Sequence, residues 1–272
     1  MADSIFILGR QPELSAAELA RACHSLGAQC TPHNRFVLHC SGLADPSAFF
    51  ASLGGSVKLG EELFVIPRGE LDSTATLNRL LSLITRSGKT VFGLSMYGFS
   101  NGKPDLLSIA KKLKRLCAAH KQSCRYVQGP DGALSSVVVQ KSGMLTHGAE
   151  FLLISRGNDI VVGRTVAVQQ FEEFSARDYG RPGRNARSGM LPPKVARMLI
   201  NLSGVKKDAT LFDPFCGSGT VLTEAMTLGF HNLIGSDSLS RAVADTKKNV
   251  VWFRNRLGTN TAAPQIFTAD VR

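Results

Sequence analysis

The sequence contains no run of the ~20 uninterrupted apolar residues that a membrane span needs, and no two of its six cysteines form a Cys-x-x-Cys pair. The first absence excludes a membrane-crossing helix, and the second excludes a zinc ribbon. No secretory leader is expected from the opening residues. The expectation is therefore a cytoplasmic protein in which Cys23, Cys30, Cys40, Cys117, Cys124 and Cys216 are reduced, without a disulfide framework. Histidine is also scarce. His24, His33, His39, His120, His147 and His231 show no ligand spacing, so no metal is expected.

What is present fits a folded chain. At 272 residues and 43% hydrophobic composition, the protein can bury a substantial core and form two or more domains. Its net charge of +11 is unevenly placed. Residues 76–200 carry 19 basic and 7 acidic residues, whereas residues 1–75 carry 5 and 8. A polyanion would meet the middle third first, with salt-sensitive affinity. A lysine-rich solvated surface explains the charge equally well.

Hydrophobic patterning divides the chain into four segments. Residues 5–66 open with the strand-like IFILG, pass through a helix begun by Pro12-Glu13-Leu14-Ser15, and reach the β-like runs RFVLHC and ELFVI. Residues 73–170 repeat the α/β alternation, with an amphipathic STATLNRLLSLITRS, the strand KTVFGLSMYG, a basic helix from Pro104 to about His120, and CRYVQG. EFLLIS and IVVGRTVAVQ flank Arg156-Gly157-Asn158-Asp159 as a β-hairpin. Residues 171–192, rich in Arg and Gly and short of aliphatic side chains, read as a surface linker.

On the basic helix, Lys111, Lys112, Lys114 and Arg115 crowd around an apolar stripe of Ile109, Leu113, Leu116 and Cys117. Alone, such a cluster reads as a solvated face. Arg125, and Arg177, Arg181, Arg184 and Arg187 in the linker, add guanidinium groups suited to bidentate phosphate contacts. Tyr97, Phe99, Tyr126 and Tyr179 are candidates for base stacking, or for the core. Together they favour a nucleic-acid surface.

The C-terminal segment reads βαβαβ: a strand over residues 209–213, the turn CGSGT, the helix VLTEAMTLGF, the strand NLIGSD, the helix SRAVADTKKNVVWFRNRLG and the strand QIFTAD. This is the half-unit of an open parallel sheet. Asp213, Asp237 and Asp270 fall at strand ends, where such sheets line their ligand crevice. The glycine turn lacks the third glycine of a dinucleotide fingerprint, and no Walker lysine is present. An acid directly before the turn repels phosphate but suits an ammonium. Asp237 suits ribose hydroxyls and Asp270 an adenine amino group, a set that describes S-adenosylmethionine better than NAD.

DPFCGSGT, preceded by RDYGRPGRNARSGMLPPKVARMLINL, resembles the cofactor region of the THUMP-domain tRNA guanine-N2-methyltransferases, and of their archaeal-type (guanine-10, N2) branch in particular. LGRQPELSAAEL, KTVFGLSMYG, LSSVVVQK and GRTVAVQQFEEFSARDYGRP extend the resemblance over nearly the whole chain. It implies an α/β protein with an N-terminal ferredoxin-like domain (1–70), an RNA-binding THUMP domain (71–170), a linker (171–191) and a partial Rossmann-like methyltransferase domain (192–272). It further implies S-adenosylmethionine held by Asp213, Pro214, Phe215, Cys216, Gly217, Ser218, Gly219, Thr220, Asp237, Ser238 and Asp270, with tRNA as partner. The departure is at the end of a fourth strand, where the family carries an Asp/Asn-Pro-Pro-Tyr/Phe motif that orients the reacting amine. No such motif occurs here. The expectation is an N-terminal portion of such an enzyme, without identified catalytic residues and with one edge of the first strand unpaired. An RNA-binding protein without catalysis and a DNA amino-methyltransferase remain as alternatives.

Overall fold

The computed structural model describes residues 3–84, 89–184, 189–257 and 262–270. They form a mixed α/β protein of two compact units, residues 1–16, 26–51 and 56–169 in one and residues 17–25, 52–55 and 170–272 in the other.

The first unit is built on a single eight-stranded sheet. Its strands are β1 (Ser4–Leu8), β2 (Gln29–Asn34), β3 (Val37–Ser41), β4 (Ser56–Pro67), β5 (Thr90–Tyr97), β6 (Cys124–Val127), β7 (Gly148–Arg156) and β8 (Asp159–Val168), in the order β2-β3-β1-β4-β8-β7-β5-β6. The segments 1–70 and 71–170 thus contribute to one sheet, joined where β4 pairs antiparallel with β8 from Lys58 to Pro67. The hairpin β7–β8 closes between Arg156 and Asp159, at the turn the sequence indicates. Its helices are α1 (Pro12–Ser25), whose residues divide between the two units, α2 (Pro46–Ser52), α3 (Thr74–Ile84), α4 (Leu106–Ala119), α5 (Ser136–Lys141) and α6 (Met144–His147).

Helices α3 and α4 cover one face of this sheet. Leu77, Leu80, Ile84, Ile109 and Leu113 join Phe92, Leu94, Phe151 and Leu153 in one buried cluster. The strand β7 is buried at every position but its last, as expected for a strand covered on both faces. Asp105 caps α4 by accepting from the amides of Leu107 and Ser108 at 3.1 Å, a contact that stabilises a helix by about 1 kcal/mol. The buried positions 106, 109, 110, 113 and 117 recur at helical spacing, so Lys111, Lys114 and Arg115 are left in solvent.

Two cysteine pairs correct the expectation of six reduced thiols. Cys30 and Cys40 lie directly opposite in the β2–β3 register and are disulfide-bonded, as are Cys117 at the end of α4 and Cys124 at the start of β6. Cys23 and Cys216 are buried and belong to neither disulfide. No helix among the described residues is long and apolar enough to cross a membrane.

The second unit contains α7 (Phe171–Tyr179), α8 (Pro193–Ser203), β9 (Leu211–Asp213), α9 (Thr220–Thr227), β10 (Leu233–Asp237), α10 (Ser240–Leu257) and β11 (Gln265–Thr268). Its strands form a parallel sheet in the order β11-β10-β9, as the βαβαβ pattern requires. Among the described residues β9 has a strand neighbour on one edge only. Ile200, Leu222, Ala225, Val250 and Phe253 form its core. Buried Glu18 belongs to this unit too, accepting from the amides of Gly54 and Gly55 at 2.8 Å and from Asn201 Nδ2 at 2.7 Å. The surface linker expected over 171–192 is corrected in its first half. Residues 171–179 are helical, and Phe174 and Arg177 are buried.

Candidate cofactor and nucleic-acid sites

β9 ends at Asp213 and β10 at Asp237, side by side in a parallel pair in which Asp213 is opposite Gly235. The chain after β9 must turn back into α9 beside β10, and the turn is tied to its neighbours at each step. Cys216 N donates to Ser236 O at 2.8 Å, and Gly217 N donates to Asp237 Oδ2 at 3.0 Å. On the far side, Thr246 Oγ1 donates to Gly217 O at 2.7 Å and Asn249 Nδ2 to Ser218 O at 2.8 Å. Thr246 and Asn249 are buried polar residues one helical turn apart on α10.

Two glycines permit this path. Gly217 has φ +52° and Gly219 has φ +81°, in the left-handed region that side chains disfavour. A Cβ on Gly219 would also lie 2.7 Å from Thr246 Cγ2, so the third residue of the Gly-Ser-Gly turn cannot carry a side chain unless the Thr246 side chain gives way.

The turn borders a cavity of about 420 Å³. Of the residues expected to contact a cofactor, Asp213, Phe215, Cys216, Gly217, Ser218, Thr220 and Asp237 line it. Pro214 and Gly219 belong to the turn without lining the cavity, and neither Ser238 nor Asp270 lines it. Sequence reasoning missed Gly189, Met190 and Leu191 from the linker, Val221, and Leu239, Arg241, Ala242 and Asp245 from the β10–α10 corner. The available signal on α10 was spacing. Ala242, Asp245, Thr246 and Asn249 fall at i, i+3, i+4 and i+7 and place small or polar groups on one face.

The two acids differ in their surroundings. Asp237 accepts from two amides, Gly217 N and Leu239 N, both at 3.0 Å, which fixes its carboxylate while leaving lone pairs open. Asp213 accepts from Phe215 N at 3.1 Å. Burial pushes its pKa up, the Phe215 amide opposes that, and the charge of Asp237 adds to it. Phe215 and Leu239, 73% and 65% exposed, offer apolar surface to a flat ring.

The residues expected to face RNA separate into several groups. Lys111, Lys114 and Arg115 on α4 and Arg125 on β6 are exposed, while Lys112 is half-buried and paired with Asp72 at 2.5 Å. Arg184 is exposed and stacks on Tyr179, with its guanidinium carbon 5.3 Å from the ring centroid. Arg187 lies outside the described residues. Arg177 and Arg181 are corrections, being 8% and 5% exposed and inaccessible to a polyanion. Arg177 Nε donates to Glu224 Oε1 at 2.6 Å, and Arg181 Nη1 donates to Thr220 Oγ1 at 2.6 Å. Of the stacking candidates, Phe99 is in the core, Tyr126 packs on Phe92 and Tyr97 adjoins buried Lys58. Tyr179 alone of the four is well exposed, at 65%.

Residues 181–256 match a family model described as UPF0020, an RMKL-like methyltransferase domain. Among curated proteins, the tRNA (guanine(10)-N2)-dimethyltransferase of Methanothermobacter thermautotrophicus is 40% identical over 91 residues, 33% of this chain and 26% of that protein. Its namesake in Methanocaldococcus jannaschii is 32% identical over 96 residues, 34% of this chain and 27% of that protein. The matched stretches thus span about a quarter of these relatives' length. Among solved structures, TrmN from Thermus thermophilus has a TM-score of 0.59 at 14% identity, covering 99% of this chain and 74% of that one. A methyltransferase solved in complex with SAH has a TM-score of 0.53, also at 14% identity, over 98% of this chain and 75% of that one. The chain therefore has the fold of these methyltransferases and is similar in sequence to tRNA guanosine-N2 methyltransferases.

Proposed function

We propose that the chain binds S-adenosylmethionine in the cavity of its second unit and serves methylation of the exocyclic N2 of a tRNA guanosine. The names of its curated relatives support position 10 as the target. The observation that carries this reading is the cradle itself: a glycine turn pinned between Asp213 and Asp237 at the C-terminal ends of adjacent parallel strands, beside a cavity of about 420 Å³. An adenosyl amino acid fits its chemistry. Asp213 would take the α-ammonium, Asp237 the ribose hydroxyls, and Phe215 and Leu239 would pack on the purine. When bound, the cofactor supplies an electrophilic sulfonium methyl group.

The chain's own residues have to orient and shield. The guanosine N2 lone pair is delocalised into the ring, so the amine must be held in line with the methyl. The base must also leave its stack to reach the cavity. No residue is assigned to accept the amine's proton.

The domain reading remains a ferredoxin-like segment (1–70), a THUMP segment (71–170), a linker (171–191) and the methyltransferase segment (192–272), in a cytoplasmic protein. The THUMP segment would grip tRNA by shape and backbone, through exposed Lys111, Lys114, Arg115 and Arg125. Calorimetric titration with S-adenosylmethionine, together with tRNA binding at increasing salt in competition with duplex DNA, tests both halves. Saturable cofactor binding and a steep salt dependence with preference for tRNA are expected. Absence of cofactor binding, or preference for DNA, would sink the reading.

A further inference from the structure

The strand β6 is at the end of the eight-stranded sheet, paired along one edge with β5. Their parallel register sets Val91 opposite Arg125 and Phe92 opposite Tyr126. Side chains alternate between the faces of a sheet, so Val91 and Arg125 share one face, and Phe92 and Tyr126 the other. Phe92 is buried with Ile109 and Leu113 of α4, whereas Val91 is buried with Val139 of α5 and Met144 of α6. Arg125 therefore leaves the sheet on the α5–α6 side, opposite the face covered by α4 with its Lys111, Lys114 and Arg115.

A cavity of about 370 Å³ opens where the parallel strands β5, β6 and β7 begin. Lys89, directly before β5, Arg125, the second residue of β6, and His147, directly before β7, all line it and are all exposed. No Asp or Glu lines it, and among the described residues none of the three side chains forms an ion pair. Lys112 on α4 differs, because Asp72 already neutralises it. The histidine is held in place by its own turn. Its Nδ1 is 2.8 Å from Thr146 Oγ1, and a Cβ on Gly143, which has φ +75°, would lie 2.2 Å from its Nε2. Cys124, disulfide-bonded to Cys117 at the end of α4, forms part of the wall. Two permanent cations gathered at one cavity repel each other when no carboxylate stands between them. An anion with several acceptor oxygens relieves that repulsion and meets the paired donors of a guanidinium. Phosphate has that chemistry, and the hydroxyls of Ser123 and Ser142, which also line the cavity, are further donors to it.

We propose that this cavity seats one backbone phosphate of an RNA strand, gripped by Arg125 and Lys89 and bordered by the His147 ring. The proposal rests on the tRNA reading above and deepens it, because it adds a point of contact on the side of the sheet opposite α4. A strand that reaches both passes over the outer edge of β6, which has no strand neighbour among the described residues.

The test measures tRNA binding over a salt series, by fluorescence anisotropy, for the full 272-residue chain and for a variant carrying Lys89→Gln and Arg125→Gln. The variant is expected to bind tRNA about 10-fold more weakly, with the slope of log affinity against log salt lowered by about 1.5 to 2. The same loss should appear in a chain already carrying alanine at Lys111, Lys114 and Arg115, because the two contacts are separate. Arg125→Lys should keep the slope and lose part of the affinity, since the charge stays and the paired donors go. An unchanged affinity and slope in the double variant overturns the proposal. So does a loss that disappears once the terminal phosphate of the tRNA has been removed, because the cavity then holds a chain end and not the backbone. Should the variants fail to fold, acetylation of lysines in the unaltered chain decides: bound tRNA should shield Lys89, and labelling of Lys89 unaffected by tRNA rejects the site. A chain that binds no tRNA sinks the tRNA reading and this proposal with it, whereas tRNA binding that ignores Lys89 and Arg125 rejects the proposal alone.

Discussion

Glu150 in the eight-stranded sheet and Glu224 on α9 are both wholly buried carboxylates, yet their surroundings balance differently. Glu150 sits in a closed set. Lys58 Nζ and Ser95 Oγ donate to its Oε1 and Thr165 Oγ1 donates to its Oε2, the Ser95 hydroxyl in turn accepts from Leu134 N, and Lys58 Nζ reaches Tyr97 Oη. One cation meets one anion, and their hydroxyl neighbours complete the network. Around Glu224 two guanidiniums share one carboxylate, Arg177 also lying 3.9 Å from Glu173, and a third, Arg181, is buried nearby with two nitrogens that have no hydrogen-bond partner among the described residues. A closed network serves the fold, because its ion pair and hydrogen bonds offset the desolvation of its members. Buried donors without partners leave a desolvation cost that the rest of the fold has to offset.

The largest expected effect treats the two glutamates alike. Glu224→Ala and Glu150→Ala should each destabilise their unit by about 3–5 kcal/mol in denaturant titrations, because each leaves buried cations without their anion. A cost under about 1 kcal/mol at either site would show that its ion pairs are not formed. Removing the surplus cation sharpens the contrast, since Arg181→Met should leave ligand-free stability within about 1 kcal/mol of the original or raise it.

Next in size is Asp213→Asn, expected to weaken S-adenosylmethionine binding by about 10-fold or more. It should also change the pH profile. Burial raises the Asp213 pKa in the free protein, so acidification protonates it before an exposed aspartate. Binding an ammonium requires the carboxylate and releases that proton, so affinity should fall as pH drops through the raised value. In Asp213→Asn that part of the fall should vanish, and an unaltered profile would remove Asp213 from the contact.

Gly219→Ala should cost about 1–2 kcal/mol in thermal unfolding from its left-handed backbone alone, and more where Thr246 must give way. An unchanged melting temperature would mean the turn is less constrained than its φ angles indicate. The smallest effect on stability belongs to the first unit's surface. Replacing Lys111, Lys114 and Arg115 with alanine should change stability by no more than about 0.5 kcal/mol per site. The same change should lower the slope of log tRNA affinity against log salt by about 2 to 3. An unaltered slope would take α4 out of the RNA interface.

The methyltransferase-like half was legible almost strand by strand. Its elements are short, alternate regularly and end in acids or glycines, so Asp213, Asp237 and the Gly-Ser-Gly turn could be located from local signals. The hairpin β7–β8 was legible for the same reason. Arg177 and Arg181 were not, because an arginine reads as exposed until its distant partner is known, and Glu224 and Thr220 lie 47 and 39 residues further along the chain. The Cys30–Cys40 pair was equally hidden. It depends on an antiparallel register that sets the two residues opposite each other, which no spacing rule reports.

The sequence by itself determined the α/β alternation, the parallel βαβαβ unit, the acids at its strand ends and the basic stripe on α4, because each follows from hydrophobic period and turn chemistry within a short stretch of chain. Only the tertiary structure decided that segments 1–70 and 71–170 share one sheet, that α10 and the 189–191 segment complete the cavity, and which arginines are buried. Those outcomes depend on which distant residues meet, and a buried charge is defined by its neighbours in space rather than by its neighbours in the chain.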